Sequence, residues 1–258
     1  MRSRVFSLDY ASLYDTVYAS KNYKAEVERV LSWVPEKVGA ESPLNILDLG
    51  CGTGKHALEL AKLRHKVICL DQSVSMLEHA KRRFAECGLQ FQGYEASIQN
   101  FQLDGKFELV TMMFAVLNYV VDQGDLRSAF KRIRAHLVDG GVFIFDAWHG
   151  PGVELLRPSI RTKEFMFAGE SVKRVSTGEI DMGKNLVNVK IKMNLVNNDK
   201  MESVVADETH LLRYFFPDEL KVMMRECQLD LRVVEDFDEP GRNANNQSWN
   251  MFCVAVAV

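Results

Sequence analysis

No apolar run in the 258 residues exceeds the length of a β-strand. A membrane-spanning helix needs about 20 consecutive apolar residues, so none is expected. The start, Met1-Arg2-Ser3-Arg4-Val5-Phe6, is positively charged but lacks the apolar stretch of a signal peptide, and a cytoplasmic location is expected. Cysteine is sparse: Cys51, Cys69, Cys87, Cys227 and Cys253 are an odd number with no C-x-x-C pair. That pattern supports neither a disulfide framework nor a zinc site, and no metal is expected. A block of basic residues is also missing, and the formal net charge is -3, which argues against nucleic acid as a partner. Internal repeats and low-complexity tracts are absent, which leaves an ordinary globular chain with 47% hydrophobic residues.

What is present centres on Asn45-Ile46-Leu47-Asp48-Leu49-Gly50-Cys51-Gly52-Thr53-Gly54. Ile46, Leu47 and Leu49 read as a buried parallel strand, and glycines at alternate positions open a turn into the helical run from Lys55 to Leu63. A helix starting there aims its free N–H groups at whatever occupies the loop. A dinucleotide loop spaces its glycines G-x-G-x-x-G, whereas this one reads G-x-G-x-G with Asp48 two residues ahead. A carboxylate at Asp48 repels a pyrophosphate and suits the amino group of a methionine-derived cofactor. Val67 to Leu70 forms a second strand ending at Asp71, a carboxylate placed to hold a ribose diol. Together these features favour S-adenosylmethionine, with S-adenosylhomocysteine as the product.

The same residues resemble the core of the class I S-adenosylmethionine-dependent methyltransferases. The resemblance rests on residues 47–54, on Asp71-Gln72-Ser73 with Met76-Leu77, on Phe107 to Val110, and on Leu137 to Phe143, in that order. It implies an α/β fold: a Rossmann-like doubly wound seven-stranded sheet, last strand antiparallel. It also implies cofactor contacts from Asp48, Gly50, Cys51, Gly52 and Gly54 in the first loop and from Asp71, Gln72 and Met76 in the second. Ser97 and Ile98 stand where the family surrounds adenine, by a side-chain and a backbone hydrogen bond. Phe114 to Tyr119 leaves the fourth strand at the sheet's carboxyl edge, where ligands bind in such folds, and Phe114 is placed on the cofactor there.

Along the chain, residues 1–40 read as an amino-terminal helical lid, with two helices between 10 and 38. Tyr14-Asp15-Thr16-Val17-Tyr18 followed by Lys21-Asn22-Tyr23 resembles the Y-D-x-x-Y-x-x-K-D-Y segment of small-molecule methyltransferases, with Asn22 in place of aspartate. The resemblance implies that Tyr14, Tyr18 and Tyr23 close over the methionine end of the cofactor. Residues 41–160 and 214–258 read as the cofactor-binding core. Within it are a helix from Val74 to Cys87 and strands from Gln90 to Tyr94, Phe107 to Phe114 and Val142 to Ala147. A helix from Leu126 to Leu137 precedes a turn at Asp139-Gly140-Gly141. Residues 161–213 alternate polar and apolar residues and read as three or four antiparallel strands, a substrate roof inserted after the fifth strand, with a hairpin turn at residues 197–200. An exposed edge of that sheet offers a route to a homodimer.

In the last roof strand, period-two alternation places Glu208, His210 and Leu212 on one face, and a carboxylate beside an imidazole suits binding and deprotonating an amine or hydroxyl. His149, after the fifth strand, is a second candidate base, and Tyr119 a polar group over the site. His56, His65, His79 and His136 are expected to be bystanders. The run Glu208-Thr209-His210-Leu211 resembles the E-S-H-R strand of desosamine-type amino-sugar N,N-dimethyltransferases, which carry a histidine near the place of Tyr119. The expected activity is methyl transfer to an N or O atom of a small polar molecule, a nucleotide-linked sugar being one such acceptor. A tRNA- or protein-modifying enzyme and a non-catalytic module binding the cofactor or its product are the alternatives.

Overall fold

The computed structural model describes residues 8–39, 43–167, 169–196 and 202–258. Short strands of β-branched and leucine residues alternate with amphipathic helices, and this alternation produces a layered α/β core. The helices are α1 (Leu8–Val17), α2 (Tyr23–Ser32), α3 (Glu36–Gly39), α4 (Lys55–Lys62), α5 (Val74–Glu86), α6 (Gln123–His136), α7 (Gly150–Leu156) and α8 (Pro217–Glu226). The core strands are β1 (Asn45–Leu49), β2 (Lys66–Asp71), β3 (Gly93–Glu95), β4 (Phe107–Met112) and β5 (Leu137–Trp148), followed near the carboxyl end by β10 (Leu229–Asp236) and β11 (Asn250–Ala257). Between β5 and β10 in sequence lie β6 (Arg161–Phe167), β7 (Glu170–Asp181), β8 (Leu186–Val196) and β9 (Glu202–Arg213).

The seven-stranded sheet has the order β10-β11-β5-β4-β1-β2-β3. Its last strand, β11, runs antiparallel to both β5 and β10, while the other pairings are parallel. The expected architecture is therefore the observed one. Strand order reverses between β1 and β4, so their carboxyl ends open the crevice in which ligands bind in such sheets. Alternation along β1 sends Leu47 and Leu49 into the larger hydrophobic cluster with α6 and α8, and Ile46 into the cluster with Val27 and Val30 of α2 and Leu60 of α4. Asp48, on the same side as Ile46, is buried at the rim of that second cluster.

Several local expectations change. The β5 ladder has no turn at Asp139-Gly140-Gly141. It starts at Leu137, jumps register between Phe107↔Leu137 and Leu109↔Val142, and absorbs the extra residues in a bulge with Gly140 at φ 77. The third strand is Gly93–Glu95, because the Phe91 ring turns away to pack on Phe84, with centroids 5.3 Å apart. β4 stops at Met112 because Phe114 and Ala115 take positive φ values of 74 and 56. Helix α7 was not expected from Gly150-Pro151-Gly152. Proline serves its first turn, and Gly152 packs so close to the Ser248 backbone that a Cβ would lie 1.8 Å from its carbonyl oxygen.

Strands β6 to β9 form a separate antiparallel sheet in sequence order. Its register places Arg161, Ser176, Ile191 and Glu208 in one row, Gly178, Val189 and His210 in the next, and Lys163, Arg174, Met193 and Ala206 on the other side of the first. Cross-strand partners share a face and residues two apart return to it, so all of these project from one side. Helix α1 packs on this side through Leu13 and Val17, against Val172, Ile191 and Met193. The expected hairpin turn at 197–200 lies outside the described residues. Among the described residues, no helix is long and apolar enough to cross a membrane.

Candidate active site

The glycine loop is held from three directions. The Asp71 carboxylate at the end of β2 accepts hydrogen bonds from the Gly52 and Ser73 N–H groups, both at 2.8 Å. From α1, Asp15 accepts the Thr53 hydroxyl at 2.7 Å, lies 3.3 Å from the Lys55 ammonium, and pairs with Arg83. The third brace is the Gly54 backbone: its N–H bonds the Cys51 carbonyl at 3.0 Å, and a Cβ there would lie 2.8 Å from Ala80. Gly54, expected to touch a cofactor, instead packs α4 on α5 and is absent from the cavity wall. At Gly52 no protein atom lies within 4 Å of where a Cβ would stand, so the space above it is open to a ligand.

A cavity of about 600 Å³ starts at this loop. Asp48 stands at its floor, 2% exposed, with one carboxylate oxygen accepting the Thr111 hydroxyl at 2.8 Å. Its other oxygen is buried with no hydrogen-bond partner. Burial, partly offset by His56 and the Thr111 hydrogen bond, pushes the Asp48 pKa up to about 6. An orphaned carboxylate oxygen in a cavity wall calls for a donor from a ligand. Gln72, Met76, Ser97 and Ile98 continue the wall, and the Ser97 hydroxyl donates to Asn100 Oδ1 at 2.6 Å.

Aromatic rings close the middle of the cavity. Tyr18 meets Phe114 edge to face at 4.8 Å and Tyr14 at 4.9 Å, and the Lys21 ammonium sits 4.6 Å from the Phe114 ring centre. Tyr23 packs on His56 at 4.8 Å, and the His56 Nε2 lies 2.7 Å from Glu26. His56, expected away from the site, lines the cavity. Asn22 has a structural part, capping α2 by accepting the Ala25 N–H at 3.1 Å. The Asp146 carboxylate accepts from the N–H groups of both Phe114 and Ala115, the latter at 2.9 Å, and so holds the two positive-φ residues that aim Phe114 inward. Like Asp48, Asp146 is raised by burial to about 6.

The far end lies under the four-stranded sheet. Tyr119, on the short 3₁₀ turn Val116–Tyr119, places its hydroxyl 2.9 Å from His210 Nδ1, and Glu208 lies 3.1 Å from Nε2. His210 and Glu208 are buried at 1% and 6% exposure, and of the two only His210 reaches the cavity wall. Arg161, Arg174 and Ser176 line the cavity from the neighbouring rows. The Arg161 guanidinium is 5.6 Å from the Trp249 ring centre, and Arg174 reaches the Ser176 hydroxyl at 3.4 Å, with its Nε buried and unpartnered. His149 does not reach this space. Its backbone is pinned between Trp249 and the bridge to Phe215, its ring turns toward the Ser248 and Asn245 backbone, and burial lowers its pKa.

Residues 46–141 match a family model described as a methyltransferase domain. The chain superposes on the crystal structure of DesVI from Streptomyces venezuelae with a TM-score of 0.79 at 24% identity, covering 98% of this chain and 100% of that one. A methyltransferase structure from Clostridium acetobutylicum gives 0.78 at 24%, covering 96% and 97%. Its fold is that of the class I S-adenosylmethionine-dependent methyltransferases. In sequence the chain is 30% identical over 149 residues to the dTDP-3-amino-3,4,6-trideoxy-alpha-D-glucopyranose N,N-dimethyltransferase of Streptomyces venezuelae, covering 57% of this chain and 60% of that protein. It is 26% identical to the putative methyltransferase YqeM of Bacillus subtilis over 92% of each chain. The aligned part thus spans little more than half of the amino-sugar enzymes it matches.

Asp15, His56, Arg161 and Arg174, which brace the loop or line the cavity, escaped sequence reasoning. Asp15 had a local signal in the Tyr14-Asp15 motif, and Asp146 one in its place at the carboxyl end of the fifth strand, over the site. The two arginines stand out once strand register is known.

Proposed function

We propose that this chain is an S-adenosylmethionine-dependent methyltransferase whose acceptor is an amine on a small, anionic molecule of the nucleotide-linked sugar class. The observation that carries the reading is one continuous cavity whose two ends differ in chemistry. At one end, the unpartnered Asp48 oxygen suits the ammonium of an amino acid, and Asp71, Ser97 and Ile98 suit a nucleoside. At the other end, His210, Tyr119 and two guanidiniums that have no carboxylate partner among the described residues suit a polar, negatively charged acceptor. The names of the amino-sugar relatives support the same acceptor class.

In this reading S-adenosylmethionine supplies a methyl group already activated on a sulfonium. The protein's part is orientation, which alone contributes on the order of 7 to 11 kcal/mol in favourable systems, and management of one proton. Asp48 and Asp71 would hold the cofactor, Tyr14, Tyr18 and Phe114 would exclude water above it, and residues 1–40 would serve as a lid with residues 161–213 as the acceptor's roof. The enzyme would work in the cytoplasm.

The test is calorimetric titration with S-adenosylmethionine, S-adenosylhomocysteine and NADH, followed by labelled methyl transfer to a panel of nucleotide-linked amino sugars, free amino sugars, tRNA and protein. Micromolar binding of the first two ligands and label on a nucleotide-linked amine are expected. Label on tRNA or protein alone would replace the acceptor, and binding of NADH alone would overturn the cofactor.

A further inference from the structure

The imidazole predicted as a general base has a phenol oxygen in hydrogen-bond contact with one ring nitrogen and a carboxylate in ion-pair range, off the hydrogen-bond axis, at the other. Tyr119 Oη lies 2.9 Å from His210 Nδ1, and a Glu208 oxygen lies 3.1 Å from Nε2. The ring is almost wholly buried, and Glu208 stands behind it, outside the cavity wall. The adjacent carboxylate favours a proton on Nε2, which leaves Nδ1 as the acceptor of the phenol proton. Tyr119 and His210 both line the cavity and Glu208 does not; with Nδ1 turned to the phenol and Nε2 to Glu208, the Tyr119 oxygen is the atom of the three placed to meet an acceptor.

Resting on the methyltransferase reading, we propose that Tyr119 is the catalytic residue of a Tyr119–His210–Glu208 proton relay, with His210 and Glu208 as positioning residues. When the acceptor nitrogen has gained a methyl group it carries one proton too many. That proton passes to the Tyr119 oxygen as the phenol proton passes to His210 Nδ1. Tyr119 therefore begins and ends neutral, and the new positive charge rests on an imidazolium beside the Glu208 carboxylate. Once the product has left, the relay runs back toward water in the cavity: the Tyr119 phenol proton passes to water as the Nδ1 proton returns to the Tyr119 oxygen, which restores the Nε2–H imidazole.

A conduit fits the surroundings better than a phenolate does. Burial raises the Tyr119 pKa far above its ordinary value, with the Tyr18 phenol just after α1 and Glu208 of β9 adding to the rise and Arg174 of β7 opposing it. A free phenolate is costly there, whereas a phenol that gives and takes a proton together bears no charge. Glu208 belongs to the roof sheet and Tyr119 to the loop after β4, so the relay forms only when the two sheets are packed together.

The test begins without substrate. In protein labelled with ¹⁵N-histidine, the signals lost in His210→Asn identify this ring; the Nε2–H tautomer is expected, with the Nδ1 resonance shifting in Tyr119→Phe. A proton on Nδ1 would run the relay backwards and overturn it. In turnover assays, Tyr119→Phe and His210→Asn should each lower kcat about 10²- to 10⁴-fold, the usual worth of proton transfer, with S-adenosylmethionine affinity and Tm unchanged. Glu208→Gln should displace the acid limb of the kcat–pH profile. A Tyr119→Phe protein with wild-type kcat sinks the relay while leaving the methyltransferase reading intact. Failure of the wild-type protein to bind S-adenosylmethionine removes both.

Discussion

Asp48 shows how much of the site's chemistry one buried carboxylate carries. It lies on the face of β1 turned toward α2 and α4, because Ile46 two residues earlier is fixed in that hydrophobic cluster. One oxygen is held by Thr111, and the other has no partner. Burial favours the neutral acid, so half-protonation falls near pH 6. A cationic ligand needs the carboxylate form. Affinity for S-adenosylmethionine should therefore be full above about pH 7 and fall about tenfold per pH unit below 6, as the proton competes with the ligand. In Asp48→Asn the affinity should be low and flat across this range. Calorimetry at pH 5, 6, 7 and 8 checks it, and an unchanged slope in the variant would assign the titration to neighbouring His56 or Asp71.

Two connections between elements carry the geometry of the crevice. The first is the Asp146 carboxylate of β5, which accepts the backbone N–H groups of Phe114 and Ala115 across the gap from β4. Positive φ at non-glycine residues costs on the order of 1–3 kcal/mol each and persists only where surroundings impose it. Asp146→Ala should lower stability by about 2–4 kcal/mol, since both N–H groups lose a charged acceptor; Asp146→Asn keeps one acceptor and should lose less. Urea denaturation of the pair measures the difference. The second connection is Asp15, which ties α1 to Thr53, Lys55 and Arg83. Because this carboxylate is partly solvent-exposed, Asp15→Ala should leave the thermal midpoint nearly unchanged but free α1 from the glycine loop. Faster amide exchange in α1 and S-adenosylmethionine affinity weakened about tenfold are the expected readings. Unchanged exchange would mean that hydrophobic packing of Leu13 and Val17 on the roof sheet holds the helix alone.

At the scale of the molecule, the two sheets differ in what the sequence makes legible. The seven-stranded core follows from hydrophobic period and glycine spacing, because those patterns depend on near neighbours. The antiparallel insert is legible as alternation for the same reason, and the face shared by Glu208 and His210 with it. Local patterns carried no trace of the Asp146 clamp or the Tyr119–His210 contact, whose partners lie 32 and 91 residues apart. His149 misled because its position after a strand was right while the direction of its ring depended on the unforeseen helix α7.

The two arginines make the same point about register and lead to a whole-molecule prediction. Arg161 pairs with Ser176 and Arg174 with Lys163, so the guanidiniums are diagonal neighbours on the face turned to the cavity. Lys163 is drawn aside to the Val17 carbonyl, and among the described residues neither arginine has a carboxylate in ion-pair range. Two like charges on diagonal positions of one face repel, and an anionic acceptor relieves the repulsion while gaining N–H donors. Arg161→Gln and Arg174→Gln should each raise KM for a phosphorylated acceptor about ten- to a hundredfold, weaken its dependence on salt, and leave S-adenosylmethionine affinity as it was, because the proposed cofactor end of the cavity is the opposite one. Turnover at saturating acceptor should change little, since a charge that binds substrate and transition state alike affects KM rather than kcat. If both variants keep the wild-type KM and salt dependence, the acceptor carries no anion at this sheet and the nucleotide-linked class is the wrong one.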